Sequence, residues 1–125
     1  MAKENKDFQL FQDEFKRWQK LLGLMNYYVC FRHEPIDSSV AQIRIDQEEM
    51  VAVVRLNTKL KKEDNPYDDI RKVAKHEALH LLIGKLERYG QSRYITEADM
   101  CEATEELVIR LLDLLPDLPE MKEVV

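Results

Sequence analysis

Residues 76 to 80 read His-Glu-Ala-Leu-His, which places two imidazoles and a carboxylate within little more than one helical turn. Residues four apart lie one above the other on a helix, so His76 and His80 can reach a single ion. Glu77 follows the first histidine by one residue and is rotated by about 100° round the axis, which sets its carboxylate beside that ion rather than on it. A zinc ion held by two histidines, a third protein ligand and a water lowers the pKa of the water toward neutrality. A neighbouring carboxylate then takes the proton as the water attacks a polarised carbonyl. The pattern predicts Zn2+ as cofactor, His76 and His80 as metal ligands, and Glu77 as general base in a hydrolysis.

The surroundings agree with this reading. The two variable positions are Ala78 and Leu79, and the apolar run Leu81–Leu82–Ile83–Gly84 follows directly, so the motif is expected in the core, where buried histidines need a partner and a metal supplies one to both. Metal sites that are purely structural favour cysteine, and none stands near the motif, which favours catalysis. The third ligand is sought downstream, because His33, the remaining histidine, lies far upstream at a strand end. The segment EADMCEATEELVIRLLDLL offers Glu102, Glu105 and Glu106. Its apolar residues Leu107, Val108, Leu111, Leu112 and Leu115 define a helix face. Glu105 lies nearest the edge of that face, three residues before Val108 and seven before Leu112, while Glu102 and Glu106 turn more toward solvent. All three stay candidates, with Glu105 preferred. Tyr94 and Arg93, in the loop between the motif and this segment, are candidates for stabilising an oxyanion.

The elements that must position these residues follow from periodicity. Phe8, Phe11, Phe15, Trp18 and Leu22 recur at spacings of three and four, which predicts an amphipathic helix over 7–22 stopped by Gly23. Three β-rich runs follow, at 26–34, 39–46 and 50–57. In the second, Ala41, Ile43 and Ile45 alternate with polar residues, as in a strand with one buried face; in the third, apolar residues fill both parities, as in a strand covered on both sides or lying in a cleft. Short connections predict an antiparallel arrangement, with 50–57 as the edge strand to which an extended substrate would add. Asn65 and Pro66 suit the start of a long helix with Asp68 and Asp69 in its first turn and Gly90 at its end. Thr96 and Asp99 then form a capping-box pattern opening a last helix that reaches about Leu115, and Pro116 and Pro119 break the chain into a short tail, 116–125. The expected architecture is α+β, one domain over 1–125.

Composition narrows the function. A chain of 125 residues with 45 % hydrophobic residues can bury a core without disulfides, and Cys30 and Cys101, both in apolar runs, are expected as reduced core residues. The net charge of −5 is interspersed, and the one dense basic group, KLKK at 59–62, is followed at once by acids, so no nucleic-acid partner is expected. The charged N-terminus lacks a signal-peptide pattern and no apolar run reaches spanning length, which predicts a cytoplasmic protein without membrane association.

Taken together, WQKLLGL at 18–24, HEALH at 76–80 and EELVIRL at 105–111 resemble the glutamate-liganded zincin metallopeptidases, in particular small phage and mobile-element members, with a more distant similarity to ImmA/IrrE-type peptidases. No H-x-x-G-x-x-H extension follows the motif, which excludes the metzincin layout. The resemblance covers nearly the whole chain. It implies a minimal zincin-like domain: N-terminal helix, small three-stranded mainly antiparallel sheet, active-site helix, and a C-terminal helix carrying the third ligand. It also implies His76, His80 and Glu105 as zinc ligands, Glu77 as catalytic base, and a peptide or protein substrate. The alternative is a zinc-containing regulatory module that binds proteins without cleaving them.

Overall fold

Aromatic residues at helical spacing place one end of the core. In the computed structural model, which describes residues 2–59 and 70–116, helix α1 spans Ala2–Leu21, and Phe11, Phe15 and Leu22 are completely or almost completely buried. Gly23 ends α1 in the left-handed conformation (φ +70°) that glycine adopts without steric cost. The turn is fastened by the buried Gln19, whose Nε2 donates to the carbonyls of Leu24 (2.9 Å) and Tyr27 (3.1 Å).

Three strands follow, β1 (Tyr28–Glu34), β2 (Ala41–Asp46) and β3 (Val51–Asn57), in the sheet order β1-β3-β2. The sheet is mixed, which corrects the antiparallel expectation: β2 and β3 are antiparallel, but β1 runs parallel to β3. The short connections mislead because only one is a hairpin. Residues 47–50 close β2 onto β3, with Asp46 Oδ1 accepting from the amides of Glu48 and Glu49 and Met50 in a left-handed conformation (φ 57°). Residues 35–40 instead cross the end of β3, so β1 and β2 run in opposite directions without being neighbours. Asn57, the last residue of β3, fastens this crossover. Its Nδ2 donates to the carbonyls of Ile36 (2.7 Å) and Ser39 (2.8 Å), and its Oδ1 accepts from the amide of Ile36 (3.1 Å). Central placement accounts for the apolar character of β3. Ala52, Val54 and Leu56 are buried on the core face, while Val51, Val53 and Arg55 on the other are half-buried rather than covered.

Helix α2 is described over Ile70–Gln91 and buries Val73, Ala74, Glu77, Ala78, Leu81, Leu82 and Gly84. It packs against α1 and against β2. Gly90 does not stop it; the helix runs one residue further, and among the described glycines Gly23 alone has positive φ. The expected start at Asn65 and Pro66, the acids Asp68 and Asp69, most of the basic run 59–62 and the tail beyond Pro116 lie outside the described residues. Helix α3 (Glu97–Leu114) opens on the expected capping box: the Asp99 amide donates to Thr96 Oγ1 and the Thr96 amide to Asp99 Oδ2, both at 3.1 Å. No described helix is long and apolar enough to cross a membrane. Both cysteines are free thiols, but Cys30 is half-buried and Cys101 exposed, so neither is the core residue its apolar neighbours suggested.

Candidate metal centre

The front of α2 carries the candidate metal ligands. His76 and His80 point to the same side, with their Nε2 atoms 3.2 Å apart. A tetrahedral ion with metal–nitrogen bonds of about 2.0–2.1 Å holds two nitrogens about 3.3 Å apart, so the pair is spaced for chelation. Glu77 offers a carboxylate oxygen to the same cluster, in which all three ligand atoms lie within 4.8 Å of one another. The residues present therefore fit a metal ion through the two imidazoles.

Burial separates the three side chains, and not as the apolar neighbours implied. Both histidines are exposed; Glu77 is the buried member, at 5 % exposure. The reason is the helix itself, since Ala78, Leu81 and Leu82 turn into the core while positions 76 and 80 look outward. Loss of hydration pushes the Glu77 carboxyl above its ordinary 4.5, against the opposing pull of His80 and His76. No hydrogen bond to this carboxylate is found among the described residues, which leaves it able to accept a proton.

The cluster forms one wall of an open cleft of about 1280 Å³ between α2 and β2. The facing wall is β2, together with the crossover loop that Asn57 holds in place. Among the described residues β2 pairs with β3 on one side alone, so its other edge is open beside α2. This corrects the assignment of the edge strand: β3 is central, and β2 is the strand an extended chain can join in this cleft. Sequence reasoning also passed over Gly84, four residues after His80. A Cβ built there would stand 2.8 Å from Ile45 Cδ1 and 3.0 Å from Gln47 Nε2, so the missing side chain leaves room for the tips of these two residues against α2. A glycine inside a helical pattern with no capping role is the signal that marks such a close approach. Arg55, bonded to Gln42 and to Glu34 across the sheet, lines the same cleft.

The downstream candidates lie elsewhere. At about 100° per residue, the α2 residues that share a small cavity with α3 (Leu81, Leu82, Lys85, Leu86 and Tyr89) occupy the side roughly opposite the histidines. The packed face of α3 carries Ala103, Leu107, Leu111 and Leu114, whereas Val108, Leu112 and Leu115, used to place Glu105, are exposed. Glu105 is exposed with them and is not gathered with His76 and His80. Glu106, expected toward solvent, instead faces α2, with Oε2 2.9 Å from Lys85 Nζ and Oε1 3.3 Å from Arg110 Nη1; Glu102 lies 3.8 Å from the same lysine. Arg93 and Tyr94 are exposed in the α2–α3 connection and do not line the cleft. His33 stacks on Phe8, with ring centroids 4.8 Å apart, away from the cluster. Compared with family models, curated proteins and solved structures, the chain gives no match.

Proposed function

We propose that the protein is a zinc-dependent metallopeptidase, with His76 and His80 as zinc ligands and Glu77 as general base. The observation that carries this reading is the 3.2 Å spacing of the two imidazole nitrogens beside a buried carboxylate, on the wall of a cleft bordered by an open strand edge. Zinc at the pair would supply Lewis-acid polarisation of a peptide carbonyl and acidify a water.

The chain's own residues account for the rest. Main-chain groups on the open edge of β2 hold an extended peptide along the cleft, a mode in which backbone hydrogen bonds give affinity and alternate side chains give selectivity. Glu77 takes the proton of the attacking water and returns it to the departing amine. Burial suits it to this role, because loss of hydration raises its pKa above the ordinary 4.5 and a carboxylate with a raised pKa is a stronger base than an ordinary surface one. Gly84 leaves room for the side-chain tips of Ile45 and Gln47 where α2 and β2 border the cleft.

The test is cleavage of a mixed peptide library by the zinc-loaded protein. Hydrolysis should appear with zinc, stop with a chelator and be absent in Glu77→Gln. Equal hydrolysis by Glu77→Gln would refute the role of Glu77, and a chelator-insensitive activity would remove the metal from the reaction.

A further inference from the structure

Behind α2 lies a second cavity, of about 300 Å³, where α2 and α3 meet the α1–β1 turn and the β2–β3 turn. Its floor is apolar, with Leu24, Leu81, Leu82 and Ala103 all buried. Its rim is charged: there Lys85, Glu106 and Arg110 lie partly exposed. One carboxylate serves both cations, Glu106 Oε2 accepting from Lys85 Nζ at 2.9 Å while Oε1 stands 3.3 Å from Arg110 Nη1. On the inner edge of the same guanidinium, Arg110 Nε is buried without a hydrogen bond among the described residues, and so is Nε2 of Gln47, another residue of the lining. Gln47 also borders the cleft in front, so Arg110 is the orphaned donor that belongs to this cavity alone. Glu102, 3.8 Å from Lys85, is exposed and no part of the lining.

We propose that this cavity binds a small carboxylate with an apolar body, its carboxylate at the rim against Arg110 and Lys85 and its body on the leucine floor. Two observations choose that chemistry. The lining carries two cations against one anion, and the groups left without a partner are N–H donors, so the complementary guest is an acceptor with negative charge. A guanidinium takes a carboxylate through two parallel N–H groups, and Glu106 approaches Nη1, which leaves the Nε edge to the guest. A water would accept from these donors but supplies no charge and makes no use of the apolar floor. Tyr27 does not fill the need either. Its hydroxyl donates to Gln47 Oε1 at 2.6 Å, and burial pushes its pKa above the ordinary 10.0, so it stays protonated and adds no anion. The volume lies at the lower end of the roughly 300–1,000 Å³ of small-molecule sites, which limits the guest to a short chain or a single ring. The cavity stands on the side of α2 away from the histidines and is independent of their role.

The test is an amide NMR titration of the full chain, stripped of metal by a chelator, with hexanoate, hexanamide, hexylamine and acetate. Hexanoate should shift the amides round the cavity saturably and bind at least about ten-fold more tightly than hexanamide, which lacks the charge, or acetate, which lacks the body. Hexylamine should not bind. Arg110→Met should lose about ten- to a hundred-fold in hexanoate affinity, the range of a hydrogen bond to a charged group. Ala103→Leu fills the floor, leaves the rim intact and should lose at least about ten-fold, so it decides the matter if Arg110→Met fails to fold by circular dichroism. Glu106→Gln removes the anion that competes for the two cations and should gain about two- to five-fold, the scale of partly exposed ion pairs. Damage to the fold would not produce that gain. Absence of saturable hexanoate binding, equal affinity for hexanoate and hexanamide, or shifts gathered round the front cleft would overturn the site. Parental affinity in folded Arg110→Met, or a loss in Glu106→Gln, would overturn the charged rim as its carboxylate anchor.

Discussion

The two sides of α2 carry different kinds of group. On the back, toward α3, leucines meet leucines and Glu106 pairs with both Lys85 and Arg110, while Arg110 Nε is buried without a hydrogen bond among the described residues. On the front, toward β2, the Glu77 carboxylate is buried beside two solvent-exposed imidazoles whose Nε2 atoms are in contact at 3.2 Å, and among the described residues β2 is paired on one side alone. A buried carboxylate with a raised pKa beside two exposed imidazoles in a cleft is the kind of cluster that marks a functional-site candidate, so the front is the side to test for function. Two residues shape the walls around that cluster. Gly84 leaves room for the side-chain tips of Ile45 and Gln47, and Asn57 holds the crossover that forms part of the far wall.

If the front performs the chemistry, the largest effect comes from Glu77. Replacement by glutamine should lower peptide hydrolysis by about 10²–10⁴-fold, the range of a positioned general base, with zinc retained. Steady-state turnover checks this. Next in size is the crossover anchor. Asn57→Ala leaves the carbonyls of Ile36 and Ser39 and the amide of Ile36 without their partner, and should cost about 2–4 kcal/mol in denaturant unfolding, at about 1–3 kcal/mol per buried group left unsatisfied with partial relaxation. A loss no larger than that of an exposed substitution would mean the crossover is held by something other than Asn57.

Glu77 also predicts a pH dependence in the metal-free protein. Its folded pKa is raised above 4.5 by burial, so the folded state disfavours the charged form. Stability from this group is intact below 4.5, falls as pH rises through the raised folded value and stays reduced above it. Glu77→Gln, which cannot ionise, should therefore be more stable than the parent at pH 7 and match it below pH 4. Parallel stability curves across that window would deny the burial penalty. The smallest effect belongs to the back. Lys85→Met should cost only about 0.2–1 kcal/mol, because its pairs are solvent-screened. The Glu106 hydrogen bond raises the Lys85 pKa above 10.5, so the pair stabilises the fold below that value and is lost only as pH climbs beyond it.

The sequence disclosed local structure better than arrangement. Helix α1 with Gly23, the Thr96–Asp99 box and the three strands are written in nearest-neighbour chemistry and appear close to where periodicity puts them, although α1 starts at Ala2, five residues before the expected 7–22. Strand order is not local. Six residues at 35–40 are short enough for a hairpin, and only the side chain of Asn57, 21 positions from Ile36, shows that they cross a third strand instead. The histidine pair was legible because its spacing is that of a helix, yet its exposure was not. Aliphatic neighbours one and two positions away belong to a different face. The same limit applies to α3, where Leu107, Leu111 and Leu114 and the set Val108, Leu112 and Leu115 make two apolar stripes; which of them is covered depends on α2, not on α3.

The most direct test of the metal centre is zinc titration of the purified, chelator-stripped chain beside His76→Ala and His80→Ala, with bound metal counted after gel filtration. The account predicts about one zinc per chain in the parent and its loss in both variants, because each deletes one of two imidazoles placed to share the ion. A parent that takes up no zinc, or either variant retaining it at parental affinity, would contradict it.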